Sequence, residues 1–174
     1  RREGCDTVLT AEPTHGAVGT HIRSILRGDC LPSPDAVQLL FCADRAEHVA
    51  SVIRPALDGG KTVVCDRYVL STVVYGGIFG LDREWLLRVN ERFPKPDLTI
   101  ITLPPFAVCQ ERIGERSATD HFEREEIQRR IYASYRSVEH PATFFVDTSR
   151  GKEEVAEETH RQVREFFEAT ERVL

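Results

Sequence analysis

Residues 62–68, Thr62-Val63-Val64-Cys65-Asp66-Arg67-Tyr68, decide how this chain is read. The short β-branched run predicts a buried strand over residues 63–65. It stops at an acid, an arginine and a tyrosine. Open α/β sheets bind their ligands at the carboxyl ends of parallel strands. An acid there can hold a hydrated metal ion, and a guanidinium can take a phosphate through two parallel hydrogen bonds. A strand leaving the core through a polar turn would look the same, so Asp66-Arg67 alone does not identify a site.

A second signal lies upstream. Ser33-Pro34 followed by Asp35 marks a helix start. Apolar spacing carries the helix over residues 35–57, and Asp58-Gly59-Gly60 stops it. Phe41 and Arg45 are four apart and share one face. A ring that can stack, beside a fork of donors, makes a seat for a nucleobase. The other reading, a core phenylalanine and an arginine paired with a nearby acid, stays open.

Outward from these segments, strand and helix patterns alternate. Strands are predicted over residues 7–9, 63–65, 98–103 and 143–146. Helices are predicted over 18–26, 35–57, 123–138 and 152–172, with one capped by Asp82 and another opened by Pro104-Pro105. Such alternation predicts an α/β protein, a three-layer arrangement in which a parallel sheet is flanked by helices. No repeat, linker or low-complexity tract interrupts it, and one domain over residues 1–174 is expected.

Composition narrows the function. Hydrophobic residues make up 41% and charged residues 29%, the balance of a globular domain. A net charge of -5 argues against polymeric nucleic acid as a partner, while leaving room for a mononucleotide in a local basic pocket. No apolar run approaches the roughly 18 residues that span a bilayer. The five cysteines, Cys5, Cys30, Cys42, Cys65 and Cys109, lack C-x-x-C spacing, and reduced thiols in a cytoplasmic protein are expected. The histidines show no zinc-ligand spacing.

An ordered series of motifs then carries a resemblance. Glu12-Pro13-Thr14, Ile22-Arg23, Phe41-Cys42-Ala43-Asp44-Arg45 and Asp66-Arg67-Tyr68 with Ser71-Thr72 and Tyr75 resemble the thymidylate kinase (dTMP kinase) family. Pro96-Asp97-Leu98-Thr99-Ile100 and Asp120-His121-Phe122-Glu123 extend the likeness over nearly the whole chain. It implies a P-loop fold of the nucleoside-monophosphate kinase type, ATP with Mg2+ as cofactors, dTMP as acceptor and a homodimer.

The resemblance also implies roles. Glu12 and Arg23 would belong to the monophosphate site, Phe41 and Arg45 to the base seat, and Arg67 to the phosphate. Asp66 would meet magnesium through water. Ser71, Thr72 and Tyr75 would line one wall, Thr72 toward the thymine edge and Tyr75 under the sugar, with Gly76-Gly77 opening space beside it. Residues 112–123 resemble a lid over ATP, with Arg112 and Arg116 reaching the transferred phosphoryl group. Asp147 and Thr148 would lie near adenine, although Asp147-Thr148-Ser149 equally reads as a helix cap.

Departures from the family pattern are specific. Ala11 stands where an arginine usually precedes Glu-Pro, Gly76 replaces a common glutamine, Thr102 an acid, and His121 a lid arginine. The phosphate-binding motif G-x-x-x-x-G-K-[ST] does not occur. Gly60-Lys61-Thr62 has Pro55 where its first glycine should be, and it enters a strand rather than leaving one. The expectation is that a parent protein supplies the first strand, the P-loop and most of a helix, roughly 30 residues on the scale of one strand–loop–helix unit. The chain by itself is then expected not to catalyse. A dTMP-binding module without turnover and a deoxynucleoside kinase are the alternatives.

Overall fold

The computed structural model describes residues 6–28, 32–115 and 124–171. The chain divides into two compact units, residues 1–94 and 95–174, and each is described by itself. Both are built of helices around a pair of parallel strands. The expected α/β class holds, although the strands form two separate two-stranded sheets among the described residues and not one continuous layer.

In the first unit, β1 (Thr7–Ala11) pairs in parallel with β2 (Thr62–Asp66). The register sets Leu9 opposite Val64 and Ala11 opposite Asp66, so both strands end level. The ladder continues one residue further, where the Glu12 amide donates to the Asp66 carbonyl at 3.0 Å. Side chains alternate along each strand. Leu9 and Val64 therefore share the open face, 78% and 51% exposed, while Thr10 turns toward the helices.

The crossover between these strands is helical: α1 (Ala17–Arg27), α2 (Pro34–His48), a π-helical turn (Val49–Ile53) and α3 (Arg54–Asp58). The predicted single helix over residues 35–57 is thus one continuous rod with a widened turn inside it. Pro55 supplies the reason. It has no amide to give to Ser51, and its ring crowds that carbonyl, so the rod widens just before it. Ser33 caps α2, its hydroxyl accepting from the Ala36 amide at 3.4 Å.

After β2 come α4 (Val69–Ile78) and α5 (Arg83–Asn90). Asp82 caps α5 as expected, its carboxylate accepting from the Trp85 amide at 2.7 Å. The core gathers Val49 and Ile53 of the π-helical turn with Phe93, and Cys42, Val63 and Tyr68 pack against them. Leu86 is fully buried.

In the second unit, β3 (Thr99–Thr102) pairs in parallel with β4 (Thr143–Val146). Helices α6 (Phe106–Gly114) and α7 (Glu125–Arg136) connect them, and α8 (Lys152–Glu171) follows. Ile101, Ile131 and Val146 are among the buried apolar residues of this unit. The Phe106 ring meets Tyr132 edge-on at 5.4 Å and lies under the Arg129 guanidinium at 4.7 Å. No helix among the described residues is long and apolar enough to cross a membrane.

Candidate active site at the strand tips

The level ends of β1 and β2 place Glu12 beside Asp66-Arg67-Tyr68, and α2 and α4 close over Glu12. Arg45 is the centre of what forms there. It is 1% exposed, yet carries a charge. Such a group is tolerable inside a protein only when it is paired and fully hydrogen-bonded. Its Nε donates to Glu12 Oε2 at 3.0 Å, and Nη2 reaches the same oxygen at 2.8 Å. Nη2 also donates to Thr72 Oγ1 at 3.1 Å, and Nη1 donates to Asn90 Oδ1. The Tyr68 ring lies 4.9 Å from the guanidinium carbon. One Nη1 hydrogen of the guanidinium then has no partner among the described residues.

Arg45 is therefore held in a buried network and does not present an open fork of donors. The acid-paired alternative left open by the sequence describes its partner correctly, and that acid is Glu12, thirty-three residues away. Asn90 fixes the plane from α5. Its amide nitrogen donates to the Leu86 carbonyl at 2.8 Å, which turns its oxygen toward Arg45. Phe41 stands half-buried one turn before Arg45 on α2.

Burial pushes the Glu12 carboxyl above the usual carboxylate range, against the opposing pull of Arg45 and His48. His48, 2% exposed, presents Nδ1 to Glu12 Oε1 at 3.0 Å and Nε2 to Thr10 Oγ1 at 2.7 Å. Glu12, His48 and Cys65 bring ligand atoms within 4.8 Å of one another. They make a poor cation seat. The Arg45 charge already occupies the carboxylate, and burial with the Glu12 charge pushes the Cys65 thiol up to about 12. Its sulfur donates to the Arg67 carbonyl at 3.0 Å. The exposed Asp66 carboxylate at the β2 tip is the better donor for a hard, hydrated ion such as magnesium.

The loop after β1 is clamped from two sides. Asp44 of α2, 2% exposed, accepts from the Thr14 amide at 2.7 Å and the Thr14 hydroxyl at 2.6 Å. Arg23 of α1 donates to the Pro13 and Thr14 carbonyls and reaches His15 Nδ1 at 3.0 Å. The side chain expected at the monophosphate thus holds the loop that carries Glu12. Gly19 permits this closeness, since a Cβ there would meet the Thr14 backbone at 2.1 Å.

Arg67 is exposed at the strand tip with φ +65°, a region bulky residues seldom adopt. Its Nη1 donates to the Tyr75 hydroxyl at 2.9 Å. Thr72 and Tyr75, one turn apart on α4, contact Arg45 and Arg67 respectively, so that helix serves both arginines. Ser71 is half-buried on the same helix, its amide bonded to the Tyr68 carbonyl at 3.0 Å. The space expected beside Tyr75 needs correction. A Cβ at Gly76 would lie 2.8 Å from Leu86, which fills that position, and only Gly77 faces open space.

In the second unit, exposed Arg112 forks onto Thr148, to the hydroxyl at 3.1 Å and the carbonyl at 2.6 Å. Asp147 accepts from the Ser149 amide at 2.8 Å, a bond that holds its carboxyl below the usual range. That contact is a turn within the loop and not the helix cap read as the alternative to an adenine site, since α8 begins only at Lys152. Arg116 and the rest of the lid segment over residues 116–123 lie outside the described residues.

Sequence reading missed Asp44, His48 and Asn90. A signal for the first two was present: Asp44 and His48 recur at helical spacing from Val37, on the buried side of α2.

Comparison with known proteins points to the same family as the motifs. The family model described as Thymidylate kinase matches residues 1–159. A probable thymidylate kinase of Pyrococcus horikoshii is 40% identical over 139 residues, which cover 76% of this chain and 68% of that protein. A thymidylate kinase of Desulfotalea psychrophila is 32% identical over 169 residues, covering 96% and 84%. One of Xanthomonas campestris is 35% identical over 161 residues, covering 92% and 70%.

Proposed function

The chain belongs to the thymidylate kinase family, and from that premise we propose that the protein transfers the γ-phosphoryl group of ATP to dTMP, giving dTDP and ADP. The observation that carries this is the meeting at the β1 and β2 tips. The Glu12–Arg45–Thr72 network lies on one side and Arg67 with Tyr75 on the other, joined by α4. One end offers buried, oriented donors for a base edge, the other an exposed guanidinium for a phosphate.

In this reading Phe41 stacks on the pyrimidine, and Thr72 and the remaining Nη1 hydrogen of Arg45 meet its edge. Tyr75 supports the sugar, with Ser71 beside it. Arg67 takes the acceptor phosphate, and Glu12 and Arg23 order the loop above it. The acceptor is already anionic, so positioning and charge neutralisation dominate over general-base chemistry. Magnesium, brought by ATP, would meet Asp66 through water; when bound it neutralises phosphate charge. Arg112 and Arg116 of the 112–123 lid would serve the transferred group, and Asp147 and Thr148 the adenine side. The proposed setting is a single domain over residues 1–174 with the three-layer sheet of P-loop nucleoside-monophosphate kinases. We propose further that it works as a cytoplasmic homodimer in dTTP biosynthesis.

The test incubates the full-length protein with Mg-ATP and either dTMP or thymidine. Turnover with dTMP alone supports the reading. Turnover with thymidine alone makes it a deoxynucleoside kinase, and dTMP binding without turnover makes it a binding module. Phe41→Ala should weaken dTMP by roughly 1–3 kcal/mol if the ring stacks on the base. Unchanged affinity in the folded variant removes that role.

A further inference from the structure

We propose that His48 is a positioning residue for the base end of the site, acting through Glu12 on Arg45. This rests on the dTMP reading above. His48, 2% exposed, spends both ring nitrogens on Glu12 and Thr10 and has none left for a ligand. Its position one turn after Arg45 on α2 brings both side chains onto the same carboxylate.

The proton positions follow from the donors and acceptors. An ionised carboxylate only accepts, so Nδ1 of His48, 3.0 Å from Glu12 Oε1, carries a hydrogen. Nε2 of the neutral ring is then an acceptor and takes the Thr10 hydroxyl at 2.7 Å. The chain runs Thr10 hydroxyl to imidazole, imidazole to Glu12 Oε1, and Arg45 to Glu12 Oε2. Each carboxylate oxygen is pinned by a different partner. Without the imidazole, the carboxylate is free to turn, and the guanidinium plane it faces turns with it. That plane sets the direction of the Nη1 hydrogen left for a ligand. In a buried network of this kind, orientation is shared among all members.

Two substitutions separate this role from simple core packing. Asn places its amide nitrogen near Nδ1 and keeps the donor to Glu12. Gln reaches the Nε2 position and keeps the Thr10 contact while losing that donor. Calorimetric titration of the full-length protein with dTMP should show His48→Gln weakened about tenfold, the scale of one buried hydrogen bond to a charged group, and His48→Asn within about threefold of wild type. ADP affinity should be unchanged in both. Thr10→Val, nearly isosteric with threonine, should weaken dTMP by about threefold, and it should also lower the unfolding midpoint, because the buried Nε2 loses its donor.

Affinity losses that follow the unfolding midpoints of the variants, with no difference between Asn and Gln, would overturn the proposal. If neither His48 variant folds, Thr10→Val decides: unchanged dTMP affinity rejects the positioning role. Wild-type protein that does not bind dTMP rejects the functional reading along with it. Wild-type binding retained in full by His48→Gln rejects this inference alone.

Discussion

Arg67 donates from Nη1 to the Tyr75 hydroxyl at 2.9 Å, and its guanidinium carbon stands 5.5 Å from the centre of the same ring. The strand tip and α4 are thereby coupled through one side chain whose backbone adopts φ +65°. Tyr75→Phe keeps the ring and removes the hydroxyl acceptor. Its kcat/KM for dTMP should fall by about threefold to tenfold, the range of a single net hydrogen bond. Arg67→Ala removes the guanidinium itself and should cost about 100-fold, since hydrogen bonds to charged groups contribute about 1.5–3 kcal/mol. Steady-state kinetics with dTMP varied provide the measurement. A folded Arg67→Ala protein within threefold of wild type would remove Arg67 from the phosphate site.

The Glu12–Arg45 pair makes a stability prediction independent of activity. Both side chains are nearly inaccessible, at 2% and 1% exposed. Removing one partner strands a buried charge, which costs about 3–5 kcal/mol. Arg45→Met should lower urea-unfolding stability by that amount. Glu12→Gln should cost less, because the amide keeps a side-chain oxygen that can accept from the guanidinium. The double variant should recover part of the loss, because it leaves no orphaned charge. Additive losses in the cycle would mean that the two groups do not interact in solution.

What the sequence made legible was local. The Ser33 and Asp82 caps, the strand ending at Asp66 and the Thr143–Val146 strand depend on neighbours a few residues away. The site depends on tertiary pairing. Asp44 meets Thr14 across thirty residues, and His48 meets Glu12 across thirty-six. No local pattern encodes those meetings, and the family motifs mark the residues without saying which of them bond to each other. Arg23 and Arg112 show the same gap. The family likeness implies a ligand-facing role for each, and each is engaged with backbone carbonyls of its own unit.

Gly76 provides a packing test. A Cβ there would lie 2.8 Å from both Leu86 methyl carbons, and Leu86 is fully buried. Gly76→Ala should destabilise the protein by about 1–3 kcal/mol through overpacking. Shrinking the neighbour should relieve it, so Gly76→Ala with Leu86→Val should be more stable than the sum of the two single changes. Chemical denaturation of the four proteins gives the coupling. A neutral Gly76→Ala would restore the reading in which this glycine leaves room beside Tyr75.

Cys65 connects the buried charge to pH. Its thiol is pushed from 9.0 up to about 12, chiefly by burial and then by the Glu12 charge. At pH 8 an ordinary thiol is about one-tenth thiolate, while Cys65 would be about one part in ten thousand, so native alkylation should be slower by roughly a thousandfold. Site-resolved mass spectrometry after iodoacetamide, native against unfolded, measures this. The linkage has a definite sign. Between 9 and 12 the folded thiol keeps its proton while the unfolded one releases it, so stability from this group is full below about pH 9 and falls as pH rises toward 12. Cys65→Ala should flatten that part of the stability profile. Rapid native labelling at pH 8 would show that the sulfur is neither buried as described nor bonded to the Arg67 carbonyl.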